Sequence, residues 1–260
     1  MSDKSKYDDE VRANIAAMAK DARLRADSID WMVRAGGDYK YSYNFAWMGR
    51  PIIQYPQDIV ALQEIIWTVK PDLVIEMGIA HGGSLILSAS ILALIEYADA
   101  AESGTSLDPR SPSRRVLGVD IDIREHNRAA IEAHPMSSRI DMIEGSSIED
   151  SVIRQVQDFA SSYSNVLVIL DSNHTHAHVL AELDAYAQLT TLGSYCIVFD
   201  TVIEDTPEEL LVDRPWSKLD NPKTAVREFL ASHPNFELDT EMENKLLITV
   251  APEGFLKRIA

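Results

Sequence analysis

The sequence has very little cysteine, no long apolar run and few basic residues for its length. Among its 260 residues there is one cysteine, Cys196, which excludes an internal disulfide framework and a cysteine-cluster metal site. No uninterrupted apolar run approaches the roughly 20 residues that cross a bilayer, and the first residues lack the apolar core of a secretory signal. These absences predict a cytoplasmic protein.

Acidic residues outnumber basic ones, with 41 Asp and Glu against 24 Lys and Arg, which gives a formal net charge of −17. Because nucleic acids and anionic membranes are themselves negatively charged, most of this surface would repel them. We therefore expect neither as a partner. What remains is the expectation of an enzyme that acts on a small molecule.

From Pro56 onward, short apolar runs alternate with segments of helical periodicity. This order predicts an α/β fold, in which a parallel sheet carries helices on both faces. Residues 99–115 are polar and rich in Ser and Pro, which predicts a surface loop. The predicted strands are 73–77, 116–119, 140–143, 165–170 and 195–199, and the predicted helices are 56–70, 85–97, 125–133, 149–159, one that ends at 189, and 223–232.

The end of the chain predicts a different connection. Two further strands, 236–239 and 245–250, are separated only by the short acidic segment 240–244, which is too short for a parallel crossover. They should therefore form an antiparallel hairpin. A seven-stranded, mostly parallel sheet that ends in such a hairpin predicts the Rossmann-like class I fold of S-adenosylmethionine (SAM)-dependent methyltransferases.

The first 55 residues differ from the rest, which predicts a division into an N-terminal segment, 1–55, and a SAM-binding domain, 56–260. One or two helices are expected over residues 8–34, ended by Gly36-Gly37. An aromatic stretch, 39–47, then follows. It is predicted to be an extended segment that packs on the domain surface or in a subunit contact. The alternative is part of a substrate lid, since aromatic faces suit sugars. Either way, the segment suggests a homo-oligomer.

A glycine-containing turn follows the first strand of the sheet, over Glu76 to Ser84 (EMGIAHGGS). Glycine lets the backbone approach a ligand closely, and the next helix presents free amides at its N-terminus. A purely structural turn is the alternative. The turn is not G-x-G-x-x-G, which argues against a dinucleotide. Asp120 ends the second strand, where a carboxylate can accept both ribose hydroxyls of an adenosine ligand; alternatively, Asp120 or Asp122 caps the next helix.

Acidic residues also end two later strands, Asp171 after 165–170 and Asp200 after 195–199. In a parallel sheet both carboxylates lie at the same edge, and with a side-chain amide such as Asn173 and waters they suit Mg²⁺ or a similar cation. His174, His176 and His178 recur at every second position and cannot share one helical face, so a zinc site using all three is not expected. Helix capping by the acidic residues is the alternative.

Several of these segments together resemble the cephalosporin hydroxylase family, whose members resemble SAM-dependent methyltransferases and include rhamnosyl O-methyltransferases. The resemblance covers about four fifths of the chain, from roughly Gly49 to the end of the predicted hairpin. It is carried by residues 49–54 (GRPIIQ), 58–67 (DIVALQEIIW), 70–73 (KPDL), Glu76, and 80–84 (AHGGS), together with the D-S-x-H segment that begins at Asp171.

The resemblance implies SAM as the methyl donor and a divalent cation, such as Mg²⁺, at Asp171 and Asp200. Relatives tend to carry an acidic residue where this chain has Phe199, so the third metal ligand is left open between Asn173, Thr201, Glu204 and water. The implied cofactor contacts are Glu76, Gly78, His81, Gly82, Ser84 and Asp120, with the adenine near Gly145, Ser146 and Ser147.

The predicted function is therefore metal-assisted O-methylation of a small hydroxylated molecule, such as a sugar or a glycosylated natural product. An alcohol is a poor nucleophile until it is deprotonated, so a cation at Asp171 would assist a general base. His174 is the predicted base because it lies nearest to Asp171 in the sequence; His178 is the alternative. Two other classes stay open: a nicotinamide-dependent oxidoreductase on a similar sheet, and a non-catalytic cofactor-binding or scaffold protein.

Overall fold

The computed structural model of the protein describes residues 3–260. A seven-stranded sheet has the order β5-β4-β3-β6-β7-β9-β8, and a separate two-stranded hairpin precedes it. The strands are β1 (Phe45–Trp47), β2 (Arg50–Ile52), β3 (Leu73–Met77), β4 (Arg115–Asp120), β5 (Ile140–Glu144), β6 (Val166–Leu170), β7 (Tyr195–Val198), β8 (Phe236–Leu238) and β9 (Phe255–Arg258). The first five sheet strands, β3 to β7, are mutually parallel, and β9 is antiparallel to both β7 and β8.

Helices cover both faces of this sheet, as predicted. The α-helices are α1 (Asp3–Lys20), α2 (Ala22–Tyr39), α3 (Pro56–Val69), α4 (Gly83–Ser103), α5 (Glu125–Glu132), α6 (Asp150–Ala160), α7 (His176–Tyr186), α8 (Pro222–Ser232) and α9 (Thr240–Leu246). One apolar cluster joins a face of the sheet to α3, α4 and α5, and a second joins the opposite face to α6, α7 and α8. Strands buried on both faces explain the continuous apolar runs in the sequence.

Helix α4 is apolar over most of its length because it is a core helix. By length and composition, it is the one helix within residues 3–260 that could cross a membrane, yet 56% of its most apolar window is buried inside the protein. Its apolar side chains pack into the same cluster as α3 and the sheet. The helix extends to Ser103 and ends at Gly104 in a left-handed conformation, so the surface loop begins later than the predicted residue 99.

The predicted terminal hairpin is correct in its antiparallel pairing but wrong in its second strand. Residues 240–244 belong to helix α9, whose N-terminus is capped by the Asp239 carboxylate, an acceptor for the Met242 amide at 3.1 Å. Thr249 and Val250 are held by the buried Asp58 instead, which accepts from Thr249 Oγ1 at 2.5 Å and from the Val250 amide at 3.1 Å. The strand that pairs with β8 is β9, Phe255–Arg258.

The N-terminal helices differ from the prediction at the glycine pair. Helix α2 continues through Gly36 and Gly37 to Tyr39 and is followed by Lys40, which has a left-handed conformation. A Cβ on Gly36 would lie 3.0 Å from the Tyr55 hydroxyl, so this glycine provides space for packing and does not end the helix. The prediction of a unit 1–55 includes residues 1 and 2, which lie outside the described residues, and the division at residue 55 stays a prediction.

Candidate active site

The strand order reverses next to β3, and this reversal creates the crevice at the edge of the sheet. The chain proceeds from β3 outward to β4 and β5, and then returns to the other side of β3 as β6. Open α/β sheets bind ligands at such a switch point, outside the carboxyl ends of the strands. The turn after β3 and Asp171 after β6 therefore lie side by side, and the Asp171 amide donates to the Met77 carbonyl at 2.8 Å.

The turn after β3 packs so tightly that Gly78 has no room for a side chain. Its φ is +101°, and a Cβ there would lie 2.1 Å from the Asp171 carbonyl oxygen. Gly82 is in a left-handed conformation and precedes the first residue of α4, so the free amides at the start of this helix face the turn. We call residues 78–84 the glycine loop.

Asp120 fixes the glycine loop to the end of β4. Its Oδ2 accepts from the Ile79 amide at 2.8 Å and the Ala80 amide at 3.2 Å, and its Oδ1 accepts from the Asp122 amide at 3.1 Å. A carboxylate has about four acceptor positions, so one is left for a ligand after these three bonds. The ribose-binding role of Asp120 stays a prediction, and Asp122 itself is exposed.

Arg50 holds the glycine loop from the other side. Its guanidinium donates to the His81 carbonyl at 3.0 and 2.6 Å and to Asn127 Oδ1 at 3.1 Å. Asn127 in turn donates to the Ala80 carbonyl at 2.9 Å. Neither Arg50 nor Asn127 can be assigned this role from the sequence, since bonds between residues 31 to 77 positions apart leave no local pattern.

Glu76 lies fully buried in β3, immediately before the glycine loop. One carboxylate oxygen accepts from Ser84, while Oε2 is buried without a partner among the described residues. Burial raises the pKa of Glu76 to about 7, and the Ser84 hydrogen bond opposes this rise. A buried acceptor without a partner is rare in proteins, so Glu76 Oε2 is a candidate to accept from a ligand group that reaches it.

The loop after β5, predicted to lie beside the adenine, joins the same edge. The Gly145 amide donates to the Asp120 carbonyl at 2.8 Å. Ser147 is buried, with its hydroxyl 3.1 Å from His178 Nε2, and its carbonyl accepts from the Tyr186 hydroxyl. The Ser147 hydroxyl is therefore already paired with His178, and Ser146 is half-buried. The adenine contacts of both serines stay predictions.

A large cavity of about 450 Å³ opens beside the glycine loop. Asp171, His174 and Asp200 are the acidic and imidazole side chains in its wall. The rest of the wall is mostly apolar and aromatic, and the N-terminal helix α2 contributes to it. The apolar and aromatic lining includes Ile29, Met32, Tyr43, Phe199, Leu210 and Trp216.

The Asp200 carboxylate, predicted to bind metal together with Asp171, acts electrostatically on Asp171. Burial, and then the nearby Asp200 carboxylate, raise the pKa of Asp171 well above its usual range. His174 Nδ1 lies 3.5 Å from Asp200 Oδ2, and the imidazole ring meets the Trp216 ring edge-to-face at 4.6 Å. Asp171, Asp200 and His174 are therefore brought together, as the sequence analysis expected.

The candidates for a third metal ligand all have other partners. Asn173 Oδ1 accepts from the Thr175 amide and hydroxyl, each at 2.9 Å, and would have to give up these bonds to bind a cation. The Thr201 hydroxyl donates to the Pro252 carbonyl at 2.6 Å, and Glu204 pairs with Arg227 at 2.8 Å. Within residues 3–260, no group of three or more His, Cys, Asp and Glu side chains is placed to hold a metal.

Two side chains in the region were missed by the sequence analysis. Gln54 is buried, and both its amide nitrogen and its amide oxygen lack a hydrogen-bond partner among the described residues. Glu182 is buried in α7; its Oε1 accepts from Ser172 Oγ at 2.5 Å and lies 3.3 Å from His178 Nε2. His178, the alternative base, is itself part of α7 and is held by Glu182 of the same helix and by Ser147 in the loop after β5.

Comparison with known proteins identifies the family. Residues 39–259 match the family described as rhamnosyl O-methyltransferase/CmcI. The chain belongs to this family. Rhamnosyl O-methyltransferase of Mycobacterium tuberculosis (strain ATCC 25618 / H37Rv) is 31% identical over 232 residues, which cover 85% of this chain and 83% of that protein.

Solved structures show the same fold at lower identity. The structure described as cmcI-D160 Mg-SAM is 16% identical, with a TM-score of 0.55, over 84% of this chain and 78% of that one. The apo structure of CalS11, described as a TDP-rhamnose 3′-O-methyltransferase of calicheamicin biosynthesis, is 15% identical, with a TM-score of 0.51, over 99% and 95%.

Membership of the rhamnosyl O-methyltransferase/CmcI family confirms the resemblance seen in the sequence. The class I methyltransferase fold is confirmed as well, with the corrected position of the last strand. The protein is a SAM-dependent O-methyltransferase. A nicotinamide-dependent oxidoreductase is not favoured, and neither is a non-catalytic scaffold.

Proposed function

We propose that this O-methyltransferase methylates a hydroxyl of a sugar or glycosylated small molecule and uses a divalent cation, such as Mg²⁺, at Asp171 and Asp200. The observation that carries the proposal is the cavity of about 450 Å³ beside the glycine loop, which combines the carboxylates of Asp171 and Asp200 and the His174 imidazole with a mostly apolar and aromatic wall. Such a wall suits the apolar faces of a sugar ring and its aglycone, while the polar groups suit a hydroxyl.

The donor side of the proposal is supported by the residues around the glycine loop. SAM supplies a methyl group that its sulfonium charge has already activated. The free acceptor on the buried Glu76 and the amides at the start of α4 fit a ligand that carries both a cation and an anion. Asp120 keeps one acceptor position for a ribose hydroxyl.

The metal proposal is supported by the donor chemistry of two carboxylates. Mg²⁺ in proteins is often held by one or two carboxylates and keeps several waters, so Asp171 and Asp200 fit it without a third side chain. Two carboxylates close enough to raise the pKa of Asp171 are also a favourable place for positive charge. When bound there, the cation would lower the pKa of an acceptor hydroxyl. The related structure described as cmcI-D160 Mg-SAM names Mg together with SAM.

His174 is the proposed general base. In methyl transfer the hydroxyl loses a proton while the methyl carbon moves from sulfur to oxygen, and the electron pair of the broken bond stays on sulfur. His174 lines the cavity, its Nδ1 lies 3.5 Å from Asp200 Oδ2, and its ring packs edge-to-face against Trp216. An oriented imidazole at the polar side of the cavity can accept this proton.

The proposed function is tested with methyl-labelled SAM. The purified protein is incubated with rhamnosides bearing aryl or alkyl aglycones, with nucleotide-activated deoxysugars and with matched deoxy analogues that lack single hydroxyls. We expect label transfer to at least one hydroxylated sugar, loss of transfer in EDTA and recovery with Mg²⁺. Binding of S-adenosylhomocysteine without transfer to any sugar would reject the sugar acceptor, and full activity in EDTA would reject the metal.

We further propose that the protein is cytoplasmic and a homo-oligomer. Neighbouring helices α3 and α4 expose four large apolar side chains, an arrangement that suits contact with a second copy. The four are Val60, Trp67, Leu94 and Tyr97. Light scattering of the wild type and of Trp67→Glu tests this assembly: a mass equal to one chain for the wild type would reject it.

A further inference from the structure

The polar atoms of Gln54 lie buried without a hydrogen-bond partner, at a place where two cavities meet. The side chain is 3% exposed, and neither amide atom has a partner among residues 3–260. A buried polar group that is left unpaired has lost its hydration without compensation, so such groups are normally paired in the working state of a protein. A primary amide can both donate and accept, so it suits a ligand that offers both kinds of partner.

Gln54 belongs to the wall of a small cleft and of the large cavity at once. The small cleft has a volume of about 40 Å³ and is lined by the glycine loop, including Gly78, His81 and Ser84. The large cavity is the one assigned above to the acceptor. The residues in both walls are Ile53, Gln54, Ala80 and Asp171, so they mark the boundary between the two spaces.

The segment that carries Gln54 is fixed against the glycine loop. Arg50, four residues earlier, donates to the His81 carbonyl at 3.0 and 2.6 Å. A Cβ on Gly83 would lie 2.2 Å from the Pro51 carbonyl oxygen, so the backbone of this segment touches the start of α4. The position of Gln54 relative to the loop is therefore set by the fold and does not depend on a flexible link.

The charges around the small cleft select the kind of ligand group. Ser84 lines the cleft and donates to Glu76, whose other oxygen is unpaired and suits an ammonium group. The amides at the start of α4 suit a carboxylate. A zwitterionic α-amino acid combines both charges, and SAM carries one such group.

We propose that the Gln54 carboxamide binds the α-amino-acid end of SAM, at the boundary between the donor cleft and the acceptor cavity. This inference rests on the proposed use of SAM in the cleft. The amide nitrogen donates to the carboxylate of the ligand and the amide oxygen accepts from its ammonium group. Gln54 thereby places the reactive sulfur toward the acceptor side.

The test compares two ligands that differ only beyond the sulfur. S-adenosylhomocysteine has the amino-acid end, whereas 5′-methylthioadenosine keeps the adenosine and the sulfur but lacks it. Calorimetric Kd values are measured for the wild type, Gln54→Leu and Gln54→Glu. We expect Gln54→Leu to raise the Kd of S-adenosylhomocysteine at least tenfold and the Kd of methylthioadenosine less than twofold. Gln54→Glu should raise the Kd of S-adenosylhomocysteine further, because it places a second carboxylate near the carboxylate of the ligand.

Gln57 provides the matched control, since it lies three residues away, has a buried acceptor without a partner and lines neither cavity. Gln57→Leu should leave both Kd values within twofold. The unliganded Gln54→Leu protein should melt no lower than the wild type, because the substitution removes no hydrogen bond. Equal weakening of both ligands, an unchanged Kd for S-adenosylhomocysteine, or a lower melting temperature without ligand would each overturn the assignment.

The same measurements distinguish a failure of the Gln54 assignment from a failure of the proposed use of SAM. A wild type that binds neither nucleoside would refute the use of SAM, and the role of Gln54 would fall with it. A wild type that binds S-adenosylhomocysteine, together with a Gln54→Leu protein that binds it equally well, would refute the role of Gln54 alone.

Discussion

The carbonyl oxygen of Asp171 occupies the space that a side chain on Gly78 would need, only 2.1 Å from the Cβ position. The contact joins the ends of β3 and β6, the two strands between which the strand order reverses. It places the proposed donor-binding loop against the proposed metal-binding carboxylate. A single glycine therefore determines how closely the two halves of the site approach.

Gly78→Ala should unfold more easily and bind S-adenosylhomocysteine poorly, because it combines a positive φ with a backbone clash. We expect a loss of more than about 3 kcal/mol in urea unfolding. Gly193→Ala is the matched control, since Gly193 has a φ of +82° and nothing within 4 Å of its Cβ position. It should lose only about 1–2 kcal/mol. Equal losses for the two variants would show that the clash is unimportant.

Asp171→Asn and Asp200→Asn should each lower turnover more than tenfold while S-adenosylhomocysteine binds within about twofold of the wild type. Each variant removes a charge that the proposed cation needs. Asp213→Asn, in an exposed position after the cavity-lining Leu210 and Leu211, is the control and should keep full turnover. The dependence of the rate on Mg²⁺ should shift to higher concentration only in the first two variants.

His174→Ala should lower kcat by about 10²–10⁴ and remove the acidic limb of the pH–rate profile, as expected for loss of a general base. His178→Ala serves as the comparison, because His178 is the alternative base and contacts Ser147 and Glu182. It should change affinity for the donor more than the shape of the profile. A profile altered only in His178→Ala would transfer the role to that residue.

The unliganded protein should be less stable at pH 8 than at pH 5. The folded state raises the pKa of Glu76 to about 7 from its usual 4.5, so the folded chain binds more protons than the unfolded chain between these values. Stability therefore falls as the pH rises through this interval, by up to about 3 kcal/mol for Glu76, and the loss is complete above pH 7. Burial raises the pKa of Asp58 to about 7 as well, with the same sign.

Glu76→Gln should reduce the slope of this pH dependence, measured as the free energy of unfolding in urea from pH 5 to 8, and leave the part contributed by Asp58. The exposed Glu10→Gln removes the same charge from α1 and should keep the wild-type slope. An unchanged slope in Glu76→Gln would show that its carboxyl does not titrate in this range.

Arg50→Met should weaken S-adenosylhomocysteine by about tenfold or more, since it releases the His81 carbonyl and Asn127 from a charged donor, a contribution of about 1.5–3 kcal/mol. Arg115→Met is the control: Arg115 pairs with Asp141 at 2.7 Å at the beginning of β4, at the edge of the sheet opposite the glycine loop. Its substitution should leave the Kd unchanged. Circular dichroism confirms that both variants fold.

The parts of the fold that could be predicted from the sequence are those determined by local pattern. Strand β3 was expected over residues 73–77 and lies there, because five consecutive buried residues stand between Pro71 and Gly78. The acidic residues at strand ends were found because parallel strands place their carboxyl ends at one edge.

The errors come from contacts between distant residues. Residues 245–250 (KLLITV) have the composition of a strand, yet Thr249 and Val250 bind Asp58, more than 190 positions earlier. Gly36 was expected to end a helix, whereas it makes space for Tyr55. Gln54 ends the GRPIIQ segment that carries the family resemblance, but that segment gave it no role, and only its buried, unpaired amide indicates one.

The short hairpin β1-β2 and the residues after it serve both sides of the crevice. Arg50 donates to the His81 carbonyl of the glycine loop, while Ile53, Gln54 and Tyr55 line the large cavity. If a ligand in one pocket shifted this segment, the other pocket would change with it, and the two occupancies would then be linked. Linkage is reciprocal: if the bound nucleoside changes the affinity for the sugar by some factor, the bound sugar changes the affinity for the nucleoside by the same factor.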